Sequence, residues 1–433
     1  MSDSRVTHRK DGLVGQLMLR LIGRWRTRPG QGAVQTQPGR LLSGLIGFAA
    51  LGLVTGATAF DDGTWRWRLP PWVPEPVVPY DNPMTRAKVE LGRHLFYDRR
   101  LSANESMSCA TCHEQARAFT DGKAVSAGVS GEHGVRSAMS LANVAYLPVL
   151  TWQNPQLSSL EVQALIPLFS EHPVEMGMAG RDQELFERLG RDPVYQKLFA
   201  LAFPEVAAGT KPLISTATLT RALAAFQRSL ISVDSAWDQY RYGGRPEALS
   251  ASAKRGEALF FGERLECHHC HGGLHFTDNL RHRQLPEGER GFHNTGLYNT
   301  DGEGSYPMES PGVVELTGDE ADRGAFRTPS LRNIAVTAPY MHDGSIATLE
   351  EVIREHYAAA GRAARSTFGA NPLRSPLIAG FDIGNDEVAD LVAFLQSLTD
   401  HHFLTDPRLG NPWPSDNQGS APGRQVQSTL SSH

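Results

Sequence analysis

The chain carries four cysteines, and all of them fall in two five-residue clusters, Cys109-Ala110-Thr111-Cys112-His113 and Cys267-His268-His269-Cys270-His271. Both read C-x-x-C-H, the attachment pattern of a c-type heme. The spacing has a chemical reason. Two thiols three residues apart lie on one side of a helical turn and can form thioethers with the two vinyl groups of one porphyrin; the next residue then presents its imidazole to the iron. A C-x-x-C disulfide usually belongs to a thioredoxin-like fold, and no alternation of strand and helix surrounds either cluster. A zinc site draws its ligands from paired clusters usually closer in sequence than the 158 residues separating these two. Cys109, Cys112, Cys267 and Cys270 are therefore expected to anchor two c-type hemes, with His113 and His271 as proximal iron ligands.

A matching pattern repeats ahead of the two clusters. Residues 87–102 read AKVELGRHLFYDRRLS and residues 253–265 read AKRGEALFFGERL, so an amphipathic helix with a Lys and a Gly before Leu-Phe leads into each. Apolar residues at three- and four-residue steps predict further helices over 160–169, 183–189, 216–231, 349–357 and 386–398, and strand patterns are scarce. The expected fold is all-α: two tandem cytochrome c-like domains with long loops, one covalent heme each. The long Gly-, Pro- and Asp-rich connections, 121–139 and 276–325, have the length of loops that carry function or wrap a cofactor.

Residues 41–56 are an uncharged, mostly apolar run preceded by Arg20, Arg24, Arg26, Arg28 and Arg40 and followed by Ala57-Thr58-Ala59. This is the layout of a secretory signal, and the run is also at the lower limit for a retained membrane anchor. Either way the body of the protein is expected in the periplasm, touching the membrane only if that segment is kept. The resulting division is 1–59 signal peptide or anchor, 60–245 and 246–414 the two heme domains, and 415–433 a disordered tail. With 40% hydrophobic and 21% charged residues the chain has enough apolar surface for globular cores, and a net charge of −5 argues against a nucleic-acid partner.

What stands opposite each proximal histidine decides between electron transfer and peroxide activation. After Cys270 the chain offers only Met308 and Met341 as thioethers, with His342, His356 and Tyr357 as other donors. Near the first cluster, His133 in the 128–136 loop is a candidate.

Over residues 83–398 the chain resembles the bacterial diheme cytochrome c peroxidase and MauG superfamily. The motifs that carry this are LGRHLFYDRRLS, CATCH followed by Phe119-Thr120-Asp121-Gly122, SLEVQALIP, PVEMG, the second C-x-x-C-H, and TPSLRNIAVTAPYMHDGSIATLEEV over 328–352. The resemblance implies a peroxide-reacting heme in the first domain and an electron-transferring heme in the second. It makes Trp152 the relay between hemes and Gln163, Pro167 and Glu175 the distal pocket, where a carboxylate can take a proton from the near peroxide oxygen and deliver it to the leaving one. It also implies a calcium ion held by backbone oxygens of Thr337 and Pro339. Ser137 stands after Arg136 where family members typically place an Asn ligand.

The peroxidase branch takes a Met as sixth ligand of the second heme, where this chain has His356-Tyr357. Ungapped counting favours His356, and the MauG branch uses a Tyr, which favours Tyr357. Either donor stabilises ferric iron and lowers the potential. The strings LTWQNPQLSSLEVQALIPLF, GLYNTDGEGSYP and FLTDPRLGNPW are most similar to the MbnH subgroup, which oxidises a tryptophan of a partner protein to kynurenine. The expected function is a periplasmic oxidoreductase that reacts with hydrogen peroxide and oxidises a side chain of a partner protein. The alternatives are a cytochrome c peroxidase fed by a small cytochrome or copper protein, and a non-enzymatic diheme electron carrier.

Overall fold

Each heme-cluster approach helix crosses a helix from much later in the same half, and both crossings are made at a glycine. Arg86–Tyr97 meets Thr216–Arg228 at Gly92, where an added Cβ would stand 2.0 Å from the Ala222 carbonyl oxygen. Ala251–Phe260 meets Asn385–Gln396 at Gly256, where a Cβ would stand 1.9 Å from the Asp390 carbonyl oxygen. Only a residue without a side chain lets two backbones approach this closely. The apolar faces then close into matching aromatic sets. Phe96 packs on Phe119 and Phe226 in the first half, and Phe260 packs on Phe276 and Phe394 in the second. Each set lies in its own hydrophobic cluster.

The computed structural model describes residues 63–413, so the expected leader (1–59) and tail (415–433) lie outside the described residues. Regular structure within them is helical apart from one antiparallel pair, Phe292–Asn294 with Ala325–Arg327, and isolated bridges. No helix among them is long and apolar enough to cross a membrane. Side-chain caps fix the helix starts: Thr85 accepts from the Lys88 amide and Ser250 from the Ala253 amide. The 160–169 helix is broken into Leu160–Gln163 and Leu165–Phe169, and Pro167 lies within the second piece. The 349–357 helix begins as Leu349–Glu351 and then widens into a π turn over Val352–Tyr357. Pro193–Ala202 and Ala236–Arg241 are helices that periodicity did not single out.

The described chain, residues 63–413, packs as one compact unit rather than two separable ones. Its two end segments each reach the other half. The proline-rich lead buries Val73 against Tyr146 and Val233, with Leu274 and Leu280 of the second half beside them, and the Tyr146 hydroxyl donates to the Pro74 carbonyl. The C-terminal segment returns to the first half: Arg93 donates to the Gly410 carbonyl, Tyr97 to that of Leu409, and the Trp413 indole to that of His94.

Replacing Gly256 by Ala forces apart two backbones in near contact. We expect a loss of at least about 1–3 kcal/mol, the range for overpacked cores, read as a lower denaturation midpoint. A change within about 0.5 kcal/mol, ordinary for surface substitutions, would show that the crossing can spread without strain.

Candidate active site

Cys109–Cys112 forms a single helical turn, with the Ser108 amide donating to the Thr111 hydroxyl. His113 ends that turn. Its Nδ1 donates to the Phe119 carbonyl at 2.7 Å, which leaves the lone pair of Nε2 free for a metal. That carbonyl is aimed by two consecutive left-handed residues, Ala118 and Phe119. Burial holds the His113 imidazole below its usual pKa, so it is neutral as an iron ligand must be. The second cluster repeats the plan: His271 Nδ1 donates to the Phe276 carbonyl at 3.1 Å, Phe276 is left-handed, and burial lowers the His271 pKa. All four cysteines are free thiols rather than disulfide partners. Burial pushes the Cys109 and Cys267 thiols up to about 12. The donor set fits two covalently attached hemes.

A cavity of about 440 Å³ lies over the first cluster, and Cys109, Cys112, His113, Trp152, Gln163, Pro167 and Glu175 all line it. Glu175 is held from both sides by its backbone neighbours. Val129 donates to its carbonyl, and the Met176 amide bonds the Pro167 carbonyl. Gly128 permits this, since a Cβ there would meet the Val174 carbonyl oxygen at 1.8 Å. Glu175 borders the open cavity and so retains accessible surface, yet enough protein surrounds its carboxyl for burial to raise its pKa. His133 is exposed and is absent from the cavity wall; Glu132 lines it instead.

In the second half the thioether candidates do not reach the cluster. Met308 is 90% exposed, and Met341 lines the space between the halves. His342 is stacked on Phe326 at 3.7 Å. His356 is buried, but its Nδ1 accepts from the Arg362 amide at 2.9 Å, so the neutral ring carries its proton on Nε2. That Nε2 has no partner. Tyr357 lies close enough to Cys270 and Cys267 for their charges to act on its phenol, which burial raises above its usual pKa.

Between the halves, Trp152 lines both the large cavity and a smaller one of about 90 Å³. Its indole donates to the Ser137 carbonyl at 2.9 Å, and its own carbonyl accepts from the Arg327 amide. Arg327, which the sequence reading did not single out, borders both cavities, donates to the Thr151 carbonyl and is buried. Desolvation lowers its pKa to about 10, so it is still a cation at neutral pH. The only sequence signal for it is its position directly ahead of the 328–352 motif. Thr337 and Pro339 line the smaller cavity with Ser137, and Ser137 turns its hydroxyl to the Met341 carbonyl. No carboxylate lines that cavity, so calcium there would rest on neutral oxygens beside a guanidinium. His275, with both ring nitrogens unpaired, and Asn279, with its Oδ1 unpaired, are buried on the same wall; nothing in the sequence marked them.

The family model for di-haem cytochrome c peroxidase matches residues 86–246. The methylamine utilization protein MauG of Methylophilus methylotrophus is 34% identical over 358 residues, covering 81% of this chain and 95% of that protein. The chain belongs to the diheme cytochrome c peroxidase and MauG family. Membership implies two c-type hemes, peroxide as oxidant and a redox partner protein. A cytochrome-c peroxidase of Denitromonas iodatirespirans is also 34% identical, over 387 residues, covering 83% of this chain and 95% of its own length. Overall identity therefore does not separate the two branches. Among solved structures, a MauG-like protein associated with microbial copper homeostasis is 48% identical, covers 81% of this chain and 100% of its own, and superposes with a TM-score of 0.77.

Because burial raises the Glu175 pKa, the protonated form persists to higher pH than in a free carboxylate, normally near 4.3. The rate of peroxide reaction should fall on acidification through a pKa above that value. Glu175→Gln should remove this acid limb, read from stopped-flow rates across pH; an unmoved limb would assign it to another group.

Proposed function

We propose that this diheme peroxidase-like oxidoreductase takes up hydrogen peroxide in the first pocket and delivers the oxidising equivalents to a side chain of an exported partner protein. The observation that carries this reading is the set of side chains around the second cysteine cluster. Tyr357 lies within electrostatic range of Cys267 and Cys270, whereas Met308 is exposed and Met341 lines the cavity between the halves. An oxygen donor in that position favours ferric iron and a low potential. Such a centre is easily oxidised and poorly suited to drawing electrons from a high-potential donor. The 48% identity to a MauG-like protein supports the same branch.

We assign Tyr357 rather than His356 to the sixth position. The His356 Nε2 holds the proton that an iron ligand would have to lack, because its Nδ1 is occupied as an acceptor. Glu175 is assigned the proton transfer between the two peroxide oxygens, Gln163 and Pro167 the shape of the pocket around it, and Trp152 the path between the halves. A heme in the first pocket would be held by Cys109, Cys112 and His113 and would supply redox-active iron, with Glu175, Gln163 and Pro167 lining the same cavity. What the chain adds is position. Backbone bonds fix the main chain that carries Glu175, and the Trp152 indole is fixed by its bond to Ser137.

Two experiments test this. With peroxide and no donor, the protein should enter a long-lived oxidised state, and on addition of a reduced small cytochrome it should turn that donor over slowly; rapid turnover would move it to the peroxidase branch, and two low-spin hemes indifferent to peroxide would make it an electron carrier. Glu175→Gln should slow the peroxide reaction by about 10²–10⁴-fold, the usual contribution of general acid–base catalysis, with heme content unchanged. Separately, Tyr357→Phe should convert one low-spin ferric signal to high-spin, whereas His356→Gln should leave ligation intact; the reverse result would give the position to His356.

A further inference from the structure

Beside the second cluster three oxidisable rings stand in file. Trp237, 3% exposed, packs edge-on to Phe276 with centroids 4.7 Å apart. Phe276 is the residue whose carbonyl receives the His271 Nδ1 proton. Tyr242 lies 5.6 Å from Trp237, and Trp72 is stacked on Tyr242 at 5.6 Å with an 18° interplanar angle. Tyr242 is 40% exposed, so the file runs from the core to solvent. Separations of this size are ordinary for aromatic packing, and a core accounts for each pair alone. The indole of Trp237 donates to the Glu257 carboxylate at 2.7 Å, which satisfies the buried N–H and also sets a proton acceptor on it. A carboxylate on an indole N–H is the group that takes its proton when the ring loses an electron.

We propose that Trp237, Tyr242 and Trp72 form an electron path linking the second heme pocket to the surface on its proximal side. The proposal rests on the peroxide reading above. In each hop one electron moves inward. Trp237 gives its electron toward the pocket while its indole proton moves to Glu257. Tyr242 then refills Trp237, Glu257 returns the proton, and the Tyr242 phenolic proton leaves to solvent. Trp72 shares the terminal vacancy with Tyr242, and a one-electron reductant at the surface, or an oxidisable side chain of a partner, fills it. With neither present, the terminal ring is consumed. It gives two electrons inward, takes one oxygen from water and releases two protons, balancing the two-electron reduction of one peroxide to water.

The test uses the diheme protein treated with hydrogen peroxide in the absence of partner, followed by peptide mass spectrometry. Hydroxylation is expected at Tyr242 and Trp72. Tyr80, which is 96% exposed and lies off the file, serves as the control for oxidant in solution. Trp237→Phe should lower marking at Tyr242 and Trp72 several-fold, and Tyr242→Phe should lower it at Trp72. Covalent heme content and melting temperature confirm that each variant is folded; if Trp237→Phe fails that check, Tyr242→Phe decides alone. Equal marking of Tyr80, or marking that persists when the inner rings are removed, would overturn the path. A heme spectrum that ignores peroxide overturns the functional reading and the path with it. A normal spectral response with Tyr242 and Trp72 unmodified overturns the path alone.

Discussion

The backbone contacts at Gly92 and Gly256 set the geometry on which both pockets depend. Each crossing brings an early and a late helix of the same half to the closest approach a polypeptide allows. That approach determines where Phe96 and Phe260 meet their partners, and hence where the chain emerges into a C-x-x-C-H turn. The turn has almost no structure of its own. Cys109–Cys112 is one helical turn and Cys267–His269 is shorter, so each depends on the core beneath it to present two sulfurs and an imidazole on one side.

The two halves use the same device to orient their histidines and different devices around them. In each, a phenylalanine carbonyl in a left-handed segment receives the Nδ1 proton. Divergence begins on the opposite face. The first half folds the 160–169 segment and the loop bearing Glu175 into the walls of an open cavity, whereas the second brings a tyrosine toward its cysteines. Trp152 and Arg327 occupy the wall shared by the first-half cavity and the smaller one between the halves.

Much of this was legible in the sequence, because the constraints were local. The cysteine spacing, the repeated approach helices and the periodicity of 216–231 and 386–398 each depend on neighbours within a few turns. Glu175, Gln163, Pro167 and Trp152 were legible through motifs, and the structure gathers them at one cavity. The ambiguity between His356 and Tyr357 has a physical origin. A π turn takes one residue more than an α turn, so a count through Val352–Tyr357 shifts by one with the kind of turn assumed. Arg327, His275 and Asn279 were illegible because their significance lies in what surrounds them, an enclosed wall assembled from segments far apart in the chain. The 245/246 division was drawn at an exposed proline-containing turn, a sound place for a linker. It could not register that Val73 and Trp413 pack across it in opposite directions.

Those exchanged ends make the molecule a clasp. A protease cutting in the 242–250 segment would sever the backbone without parting the pieces, because each fragment grips the other through a terminal strap of buried side chains and carbonyl bonds. Mechanical continuity between the two redox centres therefore does not depend on the peptide that formally connects them. Their spacing can stay constant even in nicked material.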